Sequence, residues 1–177
     1  MLTRNNEQTS ALIKLLNARL ADTIDLVYQA KQAHWNVTGP DFYALHEFFE
    51  KISDELRDHV DNIAERVTQL GGQAEGTLRM AAEHSSLPEY PGQLSSGAAH
   101  LEALSKGFEA AATNMRETID RCASLGDEVT LDILVGAGRE IEKLLWMLRA
   151  HGETVEPTWA ERAAPERKPE AAPRTRH

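Results

Sequence analysis

An all-α fold, a four-helix bundle with one long crossover, is predicted by three features of this 177-residue chain. Apolar residues recur at spacings of three and four in four long stretches. Nothing alternates with period two for long enough to make a sheet. The breaks rich in Gly, Pro and Ser leave one long connection in the middle and short turns elsewhere.

The first helix is predicted from about Thr9 to Val37, with Leu12, Leu15, Leu16, Leu20, Ile24, Val27 and Ala30 on its inner side. Thr38-Gly39-Pro40-Asp41 ends it, and Asp41 is a candidate cap for the next helix. That second helix runs to Gly71-Gly72, a clear stop. Its apolar set is Leu45, Phe48, Phe49, Ile52, Leu56, Val60, Ile63, Val67 and Leu70. At about 30 residues it would be roughly 45 Å long. Thr77–Glu83 has the makings of a short helix inside the crossover, while Ser85-Ser86-Leu87-Pro88 and Pro91-Gly92 read as loop. The third long helix starts at a Ser95-Ser96 cap and runs to about Ser124. Gly126-Asp127 separates it from the fourth, about Asp127 to Ala150, which Gly152 ends. The crossover pairs the first two helices antiparallel, and the last two likewise. The bundle therefore occupies residues 9–152, after a short tail at 1–8 and before a Pro/Ala/Arg-rich tail at 153–177.

Composition narrows the function. Apolar residues (41%) and charged residues (27%) are in the range of a water-soluble globular domain. No apolar run approaches the 18 or so residues of a membrane span, and the first ten residues lack a signal-peptide core. The single cysteine, Cys122, excludes an intrachain disulfide and fits a reducing cytoplasm, where it serves as a small buried hydrophobe. A net charge of −9 argues against a globally basic nucleic-acid binder.

The chemistry lies in the second helix, in two pairs at i,i+4: His46–Glu50 and Asp61–Glu65. At about 100° per residue, Glu50, Asp61 and Glu65 lie roughly 40°, 60° and 100° round from His46, so all four project from one side. Glu50 and Asp61 are nevertheless roughly 16 Å apart along the axis, and metal–ligand bonds are about 2 Å. One helix cannot close the set. Two antiparallel copies related by an axis near Glu55–Leu56 can, and the sequence predicts a metal site shared between subunits. His34 joins it, because the short turn brings the end of the first helix close to His46. Alone, each residue has a plainer reading. His34 is a dipole partner at a helix C-terminus, and Asp61 and Glu65 are partners for Arg57 or Arg66. Together, imidazole and carboxylate donors suit iron, zinc or manganese, and a carboxylate-rich shell favours iron that reaches the harder ferric state. A di-iron site inside one subunit would carry Glu-x-x-His on two helices. Here Tyr43, Leu56, Gly97 and Leu148 occupy the position three before His46, His59, His100 and His151.

His59 and Trp35 are read as neighbours of the ligands, His59 in packing and Trp35 as a core anchor that could intercept oxidising radicals. Trp146 is read as a core anchor too, and His84, His100 and His151 as solvated. Asp127, Glu128 and Asp132 suit the positive end of the fourth helix; around a symmetry axis the same acids would line a cation pore.

The stretch KQAHWNVTGPDFYALHEFFEKISDELRDHVDNIAERVTQLGG, Lys31 to Gly72, resembles the Dps family of miniferritins, and REIEKLLWMLRAH, Arg139 to His151, resembles that family's last helix. The resemblance covers about Thr9 to Gly152. It implies a ferritin-like bundle assembling as a hollow homo-dodecamer in the bacterial cytoplasm. It also implies oxidation of Fe(II) by hydrogen peroxide or oxygen, storage of Fe(III), and protection of DNA. Position by position, His34, His46 and Glu50 come from one subunit, and Asp61 and Glu65 from its neighbour. The family usually has aspartate where this chain has Glu50. Family pores favour Asp132 over Asp127 or Glu128. DNA-binding members often carry a lysine-rich N-terminal tail, whereas the first ten residues here hold one arginine and no lysine. DNA binding is expected to be weak or absent. The alternative is a nucleoid-compacting protein with little ferroxidase activity.

Overall fold

The computed structural model describes residues 6–152, as five helices: α1 (Asn6–Asn36), α2 (Phe42–Gln69), α3 (Leu78–His84), α4 (Gly97–Leu125) and α5 (Glu128–Gly152). The predicted order holds. α1 begins at Asn6, three residues before the expected Thr9, and the Pro/Ala/Arg-rich tail lies outside the described residues. Among the described residues there is no strand, only an isolated bridge between Thr38 and Ser96.

α1 and α2 form one antiparallel pair and α4 and α5 the other, with α1 against α4 and α2 against α5. The directions follow from end contacts. His34 meets His46 at one end of the first pair, and Gly72 lies against Ile13 at the other. Arg149 reaches Glu109, and Arg116 reaches Glu142, across the second. Gly39, with φ at +113°, makes the turn from α1 to α2 in a conformation glycine adopts without strain. The Asp41 side chain makes no capping hydrogen bond, against expectation; the first turn of α2 is closed instead by backbone bonds from Phe42 N to Gly39 O and Leu45 N to Asp41 O. Thr77 and Ser96 do cap α3 and α4, accepting from Met80 N and Ala99 N.

The core is the inner stripe of each long helix, centred on Leu16, Leu20, Phe49, Ile52, Leu56, Phe108, Met115 and Leu134. Burying such a side chain contributes about 1.5–3 kcal/mol. Two predicted core anchors are not in it: Trp35 is 62% exposed and Trp146 67%. Each sits on the far side of its helix from buried neighbours, Ala33 and Val37 for Trp35, Leu144 and Leu148 for Trp146. His100 errs the other way. It is 1% exposed and lies on the α4 stripe with Leu101 and Leu104. His84 and His151 are exposed, as expected.

The crossover is strapped to a polar row on α1. Asn17 holds Gln73 O and Glu75 N, Asp22 accepts from Ser86 N at 2.8 Å, Asp25 accepts from Ser85 Oγ at 2.6 Å, and Gln29 donates to Pro88 O. Asp22 is buried, and it also holds Arg19 at 2.9 Å and Asn114 of α4 at 3.1 Å. At its end the crossover binds the α1–α2 turn, Thr38 N donating to Ser95 O at 2.8 Å.

Asp127 is not available to a pore. It is 2% exposed, it receives both oxygens' worth of hydrogen bonds from Arg66 Nη2 at 3.1 and 3.0 Å, and it accepts from Thr130 N at the start of α5. It sits at the start of α5, as the helix-start reading has it, and pins the end of α2 to α5. Removing one partner of a buried ion pair strands the other charge. Asp127→Ala should therefore lose about 3 kcal/mol in denaturant unfolding at neutral pH, while exposed Asp132→Ala changes stability by no more than about 0.5 kcal/mol.

Candidate metal centre

The last turn of α1 and the first of α2 bring two imidazoles face to face. The rings of His34 and His46 stack with centroids 3.7 Å apart and an interplanar angle of 24°. Each ring is held by the other residue's backbone: His34 Nδ1 lies 2.8 Å from His46 O, and His46 Nδ1 lies 2.9 Å from His34 O. A carbonyl oxygen only accepts, so both Nδ1 atoms carry hydrogen. In the neutral ring this leaves both Nε2 lone pairs bare, the tautomer a metal requires. Phe42 packs against His46 at 5.1 Å and limits its rotation.

Glu50, one turn along α2, completes this half. One of its oxygens, Oε2, lies 3.3 Å from His34 Nε2 and accepts a hydrogen bond from Lys31 Nζ. The Lys31 hydrogen bond holds the Glu50 carboxyl below the usual glutamate range, outweighing the opposing effect of desolvation; the Lys31 charge acts in the same direction. The Lys31 ammonium thus supplies, beside the carboxylate, positive charge of the kind a metal would bring. The sequence reading missed Lys31. The signal was its position three residues before His34, on the same face of α1. Trp35 belongs with Lys31, whose Nζ sits 5.6 Å from the indole centroid in a cation–π contact.

Asp61 and Glu65 lie four and five turns beyond His46 on α2, exposed, and they make no ion pair with another described residue. The arginines that offered the plainer reading are engaged elsewhere: Arg57 with Asp54, Arg66 with Asp127 and Thr130. Among the described residues no three His, Cys, Asp or Glu side chains of one chain are placed to hold a metal ion together. A single subunit presents one half, His34–His46–Glu50, and separately an unpaired carboxylate pair. His59 stands apart from both. It is half-buried against α5, where desolvation lowers its pKa while Glu140 and Asp58 oppose that shift. Glu128 and Asp132 are exposed one turn apart at the start of α5.

Paired antiparallel helices, a strapped crossover and a histidine–carboxylate half-site at the bundle's end define a ferritin-like protein. The ferritin family model, described as a ferritin-like domain, matches residues 13–156. The DNA protection during starvation protein of Agrobacterium fabrum (strain C58) is 42% identical over 142 residues, 80% of this chain and 88% of that protein. DNA protection during starvation protein 2 of Bacillus anthracis is 36% identical over 140 residues, 78% of this chain and 94% of its own. A solved Dps from Mycobacterium smegmatis superposes with a TM-score of 0.82 at 30% identity, covering 87% of this chain and 93% of that one. With these matches the chain belongs to the Dps family of ferritin-like proteins.

The Lys31–Glu50 contact has a measurable consequence. A carboxylate with a depressed pKa contributes stability above its unfolded pKa and loses it as pH falls through the folded value. Lys31→Met should return the Glu50 titration toward the ordinary glutamate range in metal-free protein. A carboxyl-carbon NMR titration reads this directly; an unmoved Glu50 would show that Lys31 is not the cause.

Proposed function

We propose that this protein oxidises ferrous iron at sites shared between subunits and stores the ferric product inside a homo-dodecameric shell. By removing iron and peroxide together it protects DNA. The observation that carries the reading is the His34–His46 pair, whose mutual Nδ1 bonds leave both Nε2 atoms bare, that of His34 at 3.3 Å from Glu50. Family membership supports iron storage and DNA protection.

In this reading Fe(II) is the substrate. His34, His46 and Glu50 of one subunit bind it from one side, and Asp61 and Glu65 of the neighbour from the other. Four of the donors would otherwise be spread along one helix, so the chemistry needs two chains. Carboxylate oxygens favour the ferric product, which lowers the cost of electron loss. Each ferrous ion gives up one electron. Hydrogen peroxide takes two electrons and two protons to leave two waters, and oxygen is the alternative oxidant. Glu128 and Asp132, exposed and one turn apart, would draw ferrous ions through a pore at a symmetry axis. The same donor set also accepts zinc or manganese, which would compete with iron. No helix among the described residues is long and apolar enough to cross a membrane, and the proposed setting is the bacterial cytoplasm.

The test follows from the division of the ligands. Ferrous oxidation followed by absorbance should fall more than about tenfold in His46→Ala and in Asp61→Ala. Mixed shells of the two variants should recover activity. At an interface between them, one site unites the intact His46 of one chain with the intact Asp61 of the other. Inactive mixed shells, or an active isolated subunit, would refute the shared site.

Direct DNA association is proposed to be weak. A net charge of −9 per subunit opposes approach to the phosphate backbone, and twelve copies multiply it. Gel shifts should show binding, if any, only at low salt. Retention of duplex DNA at physiological salt without ferrous oxidation would favour the nucleoid-compacting alternative.

A further inference from the structure

The crossover places a tyrosine against the buried histidine of α4. The Tyr90 hydroxyl lies 2.6 Å from His100 Nδ1, and the two rings are nearly parallel, 16° apart with centroids at 6.2 Å. His100 is 1% exposed, and its ring lies against the backbone carbonyls of Asn36 and Leu94. Taking an imidazole out of water is costly, and a packing role alone would be met by an apolar side chain. The pair adjoins the candidate metal centre. The Phe49 ring, next to Glu50 in sequence, is 6.2 Å from His100, and the Asn36 backbone, two residues past His34, touches the imidazole. Burial pushes the Tyr90 phenol above its usual pKa, so it holds its proton at neutral pH. The phenol must then donate, and His100 Nδ1 must accept.

We propose that Tyr90 and His100 form a proton-coupled redox relay, which captures one-electron oxidants that escape the iron site. This rests on the ferroxidase reading above. The oxidant is a hydroxyl radical, made when peroxide receives one electron from ferrous iron instead of two. It takes one electron from Tyr90 and one proton from solvent to become water. The phenolic proton crosses the 2.6 Å contact to His100 Nδ1. Tyr90 becomes a neutral phenoxyl radical and His100 an imidazolium. A further ferrous ion returns the electron, and the proton moves back to the phenol. Burial opposes the imidazolium, while the Asn36 and Leu94 carbonyls favour it, so the proton is held briefly and returned.

The chain has three tyrosines, Tyr28, Tyr43 and Tyr90, so the radical can be assigned. Full-length assembled protein loaded with ferrous iron is mixed with hydrogen peroxide, freeze-quenched and examined by electron paramagnetic resonance. The relay predicts a tyrosyl signal that narrows when the chain carries ring-deuterated tyrosine. The signal should be lost in Tyr90→Phe and kept in Tyr28→Phe and Tyr43→Phe. Tyr90→Phe should oxidise iron at the wild-type rate yet release more radical to a spin trap. His100→Gln should keep the fold and lose the signal. Ferrous oxidation with no tyrosyl radical, or with one that survives Tyr90→Phe, overturns the relay and leaves the iron reading standing. No ferrous oxidation in wild type overturns both. The deuterium measurement needs no substitution, so a misfolded variant does not block the result.

Discussion

The site depends on one reciprocal contact, the pair of hydrogen bonds that ties each of His34 and His46 to the other's backbone carbonyl. These bonds do two jobs at once. They lock the two helices together beside the α1–α2 turn, and they choose the tautomer of both rings. Either ring in the other tautomer would turn a lone pair toward a carbonyl and lose the bond. The same geometry that stabilises the helix end therefore prepares two donors for a metal, and no conformational change has to supply them. Lys31 finishes this preparation from α1, because an ammonium at Glu50 offsets a carboxylate that would otherwise lie uncompensated beside two imidazoles.

That contact needs α1 held in register with the rest of the bundle, and the crossover provides it. Asp22 is the junction: a buried carboxylate that binds Arg19 on its own helix, Ser86 in the crossover and Asn114 on α4. A charge taken out of water is tolerated when hydrogen bonds and an opposite charge satisfy it. Here those partners come from three different elements, so satisfying the charge fixes three positions. Further along, Thr38 and Ser95 join the α1–α2 turn to the start of α4, which carries His100 one turn later. The metal end of the bundle is thus tied to the crossover as well as to the core.

Much of this was legible in the sequence, and the exceptions have physical causes. The four apolar stripes and the glycine and proline breaks fixed the helices, because burial is periodic along a helix and leaves its period in the residues. The Ser95-Ser96 cap of α4 was readable for a similar reason: a hydroxyl at a helix start has one obvious use. Asp127 was not readable. An acid at the start of a helix looks the same whether it faces a pore or an arginine 61 residues earlier, and only the fold brings Arg66 to it. Trp35 and Trp146 misled because a large aromatic is the default core residue. Both fall on the wrong side of their helices, a fact the stripe of Ala33 and Val37, or Leu144 and Leu148, already contained. His100 and Tyr90 are ten residues apart across a loop and a helix start, a separation with no fixed geometry in sequence. The histidine–carboxylate half-site was visible through spacing, whereas Lys31 was passed over because a lysine near a metal site is not a ligand.

The division of the donors along α2 sets how assembly and chemistry are linked. Had Asp61 and Glu65 been paired with Arg57 or Arg66, a partner chain would have had to break an ion pair before supplying them. Instead both arginines are committed to other acids, and the two carboxylates stand exposed one turn apart. Like charges so placed repel. A bound cation relieves that repulsion, and in one chain the other donors for that cation are too far along the helix to share it. In the proposed arrangement an antiparallel neighbour would bring the missing imidazoles to the carboxylates, and its own carboxylates to the imidazoles of the first. A cation bound there satisfies groups from both chains, so it favours the paired state by the same free energy with which pairing favours the cation. Iron chemistry confined to such interfaces, as proposed above, would not begin on an isolated subunit, where an oxidised ion would have no enclosed space to enter.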